Sequence, residues 1–245
     1  MNVYFKTTST PFKDEYGPSL VSIGLIAESG PAFYAELTDY NGKYVNRTVE
    51  KEVINQLTER KFIDDIRRGL QKRKTAIVEK ACDAHKYHKV VGNSEQVRDS
   101  LREWFVELYR SEGYFSSTAT PRTPLDDRTH LNNILLIGVD PNIDMYLLCK
   151  LFKGTLPQYV TPYSYNIKQD ICPRKEFNGI IAASLYSEEG LMNLLWYPDE
   201  DYMDDIMRCS VDDISSFMHY KFTDSPLALR YAELIKYVYE YMRRK

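Results

Sequence analysis

The chain has few cysteines, no long apolar run and no excess of positive charge. Its four cysteines lie far apart, which argues against a disulfide framework and favours reduced thiols. The C-x2-H-x2-H spacing of Cys82, His85 and His88 has no evident fourth ligand, so we expect no zinc site. No stretch approaches the roughly 20 apolar residues of a membrane span, and no apolar signal-peptide core is present. A net charge of −3 gives no overall electrostatic footprint for nucleic acid. We therefore expect a cytoplasmic protein without a membrane partner.

Tyrosine, in contrast, is abundant. There are 20 tyrosines but only two tryptophans. A tyrosine side chain combines apolar area with a polar tip, which suits half-exposed packing and also suits protein interfaces. The 245 residues fit one domain, with an ordinary share of hydrophobic and charged residues for a globular protein.

The hydrophobic periodicity alternates between that of strands and that of helices. Three strands open the chain and form an antiparallel meander. A helical period begins at Thr48, and Ser94 can cap a longer helix that precedes a buried strand. The pattern predicts an α/β fold, in which a mixed sheet of about five strands is flanked by helices, with helical insertions. The predicted strands are 3–9, 20–28, 32–39, 133–139 and 159–171, and the main predicted helices are 94–109, 143–153 and 227–244.

The opening strand carries a resemblance to a known family. Residues 3–10 read V-Y-F-K-T-T-S-T, and with the two strands that follow they resemble the start of the short bacterial and phage DEDD-type 3′–5′ exoribonucleases, which are related to RNase T. In that family the first strand reads F-D-T-E-F-T, and its Asp and Glu hold two divalent metals. Those two positions are Lys6 and Thr8 here. Residues 165–169, Y-N-I-K-Q, resemble the family's R-D-I-K-Q strand, with Asn166 where an acid is usual.

Three further positions match the family's other motifs. Asp144 lies in I-D-M-Y-L-L-C-K-L-F, which is similar to the family segment Y-D-W-x-x-L-C-x-L-F, and takes the place of its second-motif aspartate. His219 and Asp224 have the H-x4-D spacing of the last motif, in which the His is the general base and the Asp a metal ligand. An alternative alignment puts Thr223 and Ala228 at those two positions. The first-strand acids are missing in both alignments.

The resemblance implies an RNase H-like, exonuclease-type single domain over residues 1–245, with insertions at 46–90 and 172–222, that has lost its chemistry. A two-metal nuclease needs carboxylates to gather two Mg²⁺ or Mn²⁺ ions about 3.5–4 Å apart. Lys6 supplies an ammonium and Thr8 a hydroxyl instead, so we expect no cofactor. Lys6, Thr8, Asp144, His219 and Asp224 would then be vestigial positions. Without a metal, Asp144 also fits as a partner of a helix dipole and Asp224 as an N-cap.

Two blocks of opposite charge lie outside the matched motifs. Residues 60–80 have eight basic and three acidic side chains, a net charge of +5, and residues 199–213 have seven acids against Arg208, a net charge of −6. Such runs are usually solvated faces. The basic block could follow a phosphate backbone, with Arg67, Arg68, Lys72, Arg73 and Lys74 as contacts. The acidic block could occupy a basic surface of a protein partner, through Asp199, Glu200, Asp201, Asp204, Asp205, Asp212 and Asp213.

These observations leave three functional hypotheses, of which the first is favoured. The first is an inactive exoribonuclease relative that binds a protein partner, as a phage-type regulator or inhibitor of RNA-processing or RNA-degrading machinery. The second is an active metal-dependent 3′–5′ exoribonuclease, with Mg²⁺ or Mn²⁺ held by Asp144, His219, Asp224 and replacement acids such as Asp14 or Glu15. The third is a non-catalytic RNA-binding protein that uses the basic block. The opposite charge blocks could also pair in a homodimer.

Overall fold

The computed structural model describes residues 1–11, 17–58, 80–82, 87–111, 134–139, 141–167 and 226–244. Its strands are β1 (Asn2–Ser9), β2 (Leu20–Ala27), β3 (Ala32–Leu37), β4 (Lys80–Cys82), β5 (Tyr87–Gly92), β6 (Ile134–Gly138) and β7 (Val160–Asn166). Its α-helices are α1 (Arg47–Glu52), α2 (Ser94–Ser111), α3 (Asn142–Leu151) and α4 (Leu227–Arg244), and short 3-10 helices lie at Gly42–Tyr44 and Ile54–Gln56.

The strands form one mixed sheet in the order β4-β5-β3-β2-β1-β6-β7. The first three strands are an antiparallel meander, as the sequence predicts. β6 adds parallel to β1, β7 adds parallel to β6, and β5 adds parallel to β3. The predicted fold class, an α/β fold with a mixed sheet flanked by helices, is therefore confirmed.

Within the described residues the sheet has seven strands rather than about five, and the two that the sequence did not predict are β4 and β5. The region 46–90 was expected to be a helical insertion, yet its described part contains β4 and the start of β5 besides α1. Val90 and Val91 of β5 are fully buried, and β-branched residues pack well on a pleated surface. Pairing with β3 along its whole length therefore decides the conformation of this segment.

Helices α2 and α3 cover one face of the sheet. Their buried side chains, such as Leu101, Phe105 and Leu148, belong to one hydrophobic cluster with Phe5 and Leu25 of the strands. This cluster is the main core of the described chain. It fixes α3 against β1, and that contact positions the site described below.

Helix α4 covers the opposite face and approaches β2 closely at Gly24. A Cβ atom at Gly24 would lie 2.3 Å from the backbone nitrogen of Leu229 and 2.4 Å from the carbonyl carbon of Ala228. On the same face, the rings of Tyr4 and Tyr239 lie 5.6 Å apart. Only glycine permits this approach of helix backbone to strand backbone.

The predicted helix ends are close to those observed, with one correction at α2. Ser94 was expected to cap this helix, but Asn93 does so. The Oδ1 atom of Asn93 accepts a hydrogen bond from the backbone N–H of Gln96 at 3.0 Å, and the Oε1 atom of Gln96 accepts one from the N–H of Asn93 at 3.0 Å. This reciprocal pair is a capping box. Ser94 instead donates its N–H and its hydroxyl to Asp39.

The last two helices agree with the sequence within two residues. Helix α4 has the predicted bounds, and α3 ends at Leu151 rather than Lys153. Lys153 and Gly154 have φ angles of 56° and 90°, the left-handed conformation that commonly ends a helix. Among the described helices, none is long and apolar enough to cross a membrane.

Candidate functional site

The candidate site lies where the carboxyl ends of β1 and β6 meet. These two strands are parallel neighbours, and the chain continues from them in opposite directions across the sheet. Helix α3 begins four residues after the end of β6, so its first turn lies at this edge. In open α/β sheets, ligands bind outside the carboxyl ends of strands at such a switch point. The position therefore suits a binding site, and two of the predicted positions, Lys6 and Asp144, meet there.

Lys6 and Asp144 form an ion pair at this edge. The Nζ atom of Lys6 lies 2.9 Å from Oδ2 of Asp144, and only 3% of the Asp144 side chain is exposed, against 26% of the Lys6 side chain. The other carboxylate oxygen, Oδ1, accepts hydrogen bonds from the backbone N–H of Thr7, at 3.0 Å, and from the Thr7 hydroxyl. Two consecutive residues of β1 thus bind both oxygens of one buried carboxylate.

Asp144 therefore has more than the helix-dipole role considered from the sequence. It does lie in the first turn of α3, where a negative charge is favourable. In addition, its charge is balanced by the Lys6 ammonium and its oxygens are bonded, as a buried charge requires. The contact of Thr7 with Asp144 could not be found from the sequence, because a threonine in a strand gives no signal of its partner.

The Thr8 side chain is hydrogen-bonded within the sheet. Its hydroxyl lies 2.7 Å from the hydroxyl of Ser22 on the neighbouring strand β2. Both side chains are buried. A hydroxyl pair offers no negative charge to a divalent cation. Among the described residues, no group of three or more His, Cys, Asp or Glu side chains could hold a metal ion.

A second buried polar group lies on strand β3. The Glu36 residue is fully buried, and its Oε1 atom accepts hydrogen bonds from the Tyr34 hydroxyl at 2.9 Å, the Thr58 backbone N–H at 2.7 Å and the Thr58 hydroxyl. Burial, together with the negative charge of Glu36, raises the pKa of Tyr34 well above its ordinary value. These contacts fix the chain at Thr58 onto the sheet. A glutamate within the apolar run F-Y-A-E-L is the sequence signal that could have indicated this buried carboxylate.

Several predicted site residues lie outside the residues that the structure describes. These are His219 and Asp224 of the last motif, Asp14 and Glu15 of the first loop, the basic residues Arg67, Arg68, Lys72, Arg73 and Lys74, and the acidic residues Asp199, Glu200, Asp201, Asp204, Asp205, Asp212 and Asp213. Asn166 is the last residue of β7 and pairs with Gly138 of β6.

His88 is used in packing. Its ring stacks on Phe33 with centroids 5.5 Å apart, and its Nε2 atom lies 3.0 Å from the hydroxyl of Ser100 on α2. The register pairs His88 with Ala81, and Cys82 with Tyr87. The contacts of His88 are those of a structural histidine.

No family model matches this chain, and no curated protein matches it either.

Proposed function

We propose that this chain is a catalytically inactive member of the DEDD-type exoribonuclease family, that it acts in the cytoplasm, and that it works by binding a protein. The observation that carries the proposal is the 2.9 Å contact between the Lys6 ammonium and the Asp144 carboxylate. In the family, that carboxylate would bind a metal together with first-strand acids. Here the first strand supplies a cation of its own, the Lys6 ammonium, to that carboxylate.

Electrostatics opposes a divalent ion at this position. Two unit charges of the same sign about 4 Å apart repel by about 4 kcal/mol at an effective dielectric constant of about 20, and a divalent ion doubles that repulsion. Asp144 cannot compensate, because the ammonium and Thr7 already occupy its oxygens. Two-metal chemistry needs several carboxylates at this point, and Thr8 provides only a hydroxyl bonded to Ser22.

The binding function is assigned to the acidic stretch 199–213. Its charge of −6 is interleaved with Tyr202, Met203, Ile206 and Met207, so that it combines charge with apolar anchors. This chemistry fits the basic surface of an RNA-processing or RNA-degrading enzyme, where the stretch would act as a regulator or inhibitor. Such an acidic surface with apolar anchors would suit a phage-encoded protein that acts on the RNA-processing machinery of its host.

A nuclease assay tests the loss of activity. Short single-stranded RNA with a 5′ label is incubated with the protein and Mn²⁺, and calorimetry measures Mn²⁺ binding to the protein alone. We expect no trimming from the 3′ end and no Mn²⁺ binding. Trimming that the Asp144→Ala substitution abolishes would overturn the proposal and establish the active exoribonuclease instead.

Capture from a bacterial lysate tests the binding role. The triple variant Asp201→Asn, Asp204→Asn, Asp205→Asn should lose the captured protein. A matched control neutralises three exposed acids of helix α2, with Glu95→Gln, Asp99→Asn and Glu103→Gln, and should retain it. Equal capture by both variants would eliminate the acidic stretch as the binding surface. RNA binding that Arg67→Ala and Arg68→Ala abolish would favour the RNA-binding alternative.

A further inference from the structure

Strand β7 has an irregular register against its neighbour β6. The first pair of residues is Ile134 with Val160, and the next is Leu136 with Ser164. One residue of β6 therefore lies opposite three residues of β7, 161–163, and the surplus forms a β-bulge in the middle of the strand. Because the surplus is an even number of residues, the alternation of faces continues unchanged beyond the bulge, and the rest of β7 keeps its packing.

The side chain of Thr161 holds this bulge in place and is itself buried. Its hydroxyl donates to the carbonyl oxygen of Ile134 at 3.0 Å and to that of Tyr163 at 3.0 Å. The first of these contacts crosses to β6, and the second closes the bulge on itself. The next two residues face solvent, since Pro162 is exposed and Tyr163 is 67% exposed. The bulge is thus fixed by hydrogen bonds of its own rather than by packing of its tip.

The bulge lies on an edge strand. In the part of the chain that the structure describes, β7 is the last strand on its side of the sheet. An edge strand presents backbone N–H and C=O groups with which a strand of another molecule can pair. The sequence of β7, V-T-P-Y-S-Y-N, is rich in valine, threonine and tyrosine, which favour extended strands. A straight β7 would therefore be a template for edge-to-edge association.

Two features of residues 161–163 oppose such pairing. Pro162 has no backbone N–H to donate to a ladder, and proline within a sheet is confined to edges and bulges. The bulge bends the strand, so that a straight strand cannot follow it. We propose that residues 161–163 protect the β7 edge from pairing with a strand of a second copy of this chain. Thr161 holds the bulge, and Pro162 removes one backbone donor from the strand.

Sedimentation velocity over a range of protein concentrations tests the proposal, with circular dichroism to establish that each variant is folded. Deletion of Pro162 and Tyr163 leaves one residue between the two pairs on each strand and gives a regular edge. We expect this variant to self-associate about tenfold more tightly than the natural chain, or more. Pro162→Val keeps the chain length, restores the N–H and should shift association in the same direction. The matched control is Pro31→Val, an exposed proline in the turn before β3, which should leave association unchanged.

Amide hydrogen exchange identifies the surface that pairs. When the deletion variant associates, exchange of the β7 backbone N–H groups should slow by about tenfold or more, whereas exchange in helix α2 should not change. Folded variants that associate no more tightly than the natural chain would refute the proposal, and so would association that leaves exchange in β7 unchanged. A natural chain that already pairs through β7 would refute it as well. If the deletion unfolds the chain, the comparison of Pro162→Val with Pro31→Val decides.

Discussion

The Nζ atom of Lys6 lies 2.9 Å from Oδ2 of Asp144, although the two residues are 138 positions apart in the chain. The contact joins β1, an inner strand of the sheet, to the first turn of α3. A buried carboxylate is stable only when its charge is balanced and its oxygens accept hydrogen bonds. Lys6 balances the charge and Thr7 fills the remaining oxygen. Both oxygens of the Asp144 carboxylate thus have partners within the protein.

Removing the ammonium should destabilise the fold. We expect Lys6→Met to lower the free energy of unfolding by about 1–3 kcal/mol, because Asp144 then remains buried without its counter-charge. Urea denaturation measures the change. Lys43→Met, an exposed lysine with no charged partner in the described part of the chain, serves as the control and should change the free energy by less than about 0.5 kcal/mol. Equal effects would show that the ion pair has no structural role.

Gly24→Ala should separate α4 from the sheet. The added Cβ would lie 2.3 Å from the Leu229 nitrogen, and a helix backbone cannot move aside as a flexible side chain can. We expect a loss of more than about 3 kcal/mol, a value typical of severe overpacking. The comparison is Gly30→Ala, where a Cβ meets nothing within 4 Å and only the positive φ angle of 117° opposes the substitution. A loss at Gly24 no greater than that at Gly30 would contradict the close approach seen here.

Two buried tyrosines should respond differently to loss of the hydroxyl. Tyr34→Phe removes a donor from the buried Glu36 carboxylate, and we expect a loss of about 1–3 kcal/mol. Tyr4 is as deeply buried, but its hydroxyl has no hydrogen-bond partner among the described residues, so Tyr4→Phe should be neutral or slightly stabilising. Chemical denaturation of both variants gives the comparison. A Tyr4→Phe variant as unstable as Tyr34→Phe would mean that the Glu36 contact contributes nothing specific.

Stability should fall at alkaline pH. Burial raises the pKa of Tyr159 from 10.0 to about 12. A folded-state pKa above the unfolded one means that folding favours the neutral phenol. Its contribution is therefore complete below about pH 10 and is lost as the pH rises toward about 12. Unfolding measured across this range should show a shallower decline for Tyr159→Phe than for the natural chain. If the stability of both proteins declined in parallel, ionisation of Tyr159 would not be the cause of the loss.

The sequence predicted those elements whose signals are local. Helix α4 has the predicted bounds, because its apolar periodicity runs unbroken over 18 residues. β1, β2 and β3 follow from alternating or continuous apolar runs separated by turn residues. β4 and β5 were missed because their conformation depends on pairing with β3 and with each other, and such pairing leaves no local periodicity.

The sequence by itself determined the fold class and the absence of carboxylates from the first strand at Lys6 and Thr8, since both depend on residue type and order alone. Only the tertiary structure decided which group neutralises Asp144, that Thr7 donates hydrogen bonds to its other oxygen, and that the buried Glu36 accepts hydrogen bonds from Tyr34 and Thr58. The contacts of Asp144 and the contact of Glu36 with Thr58 join distant parts of the chain, and the burial of Glu36 depends on how the elements pack. They are set by strand order and helix packing, which no short stretch of sequence contains.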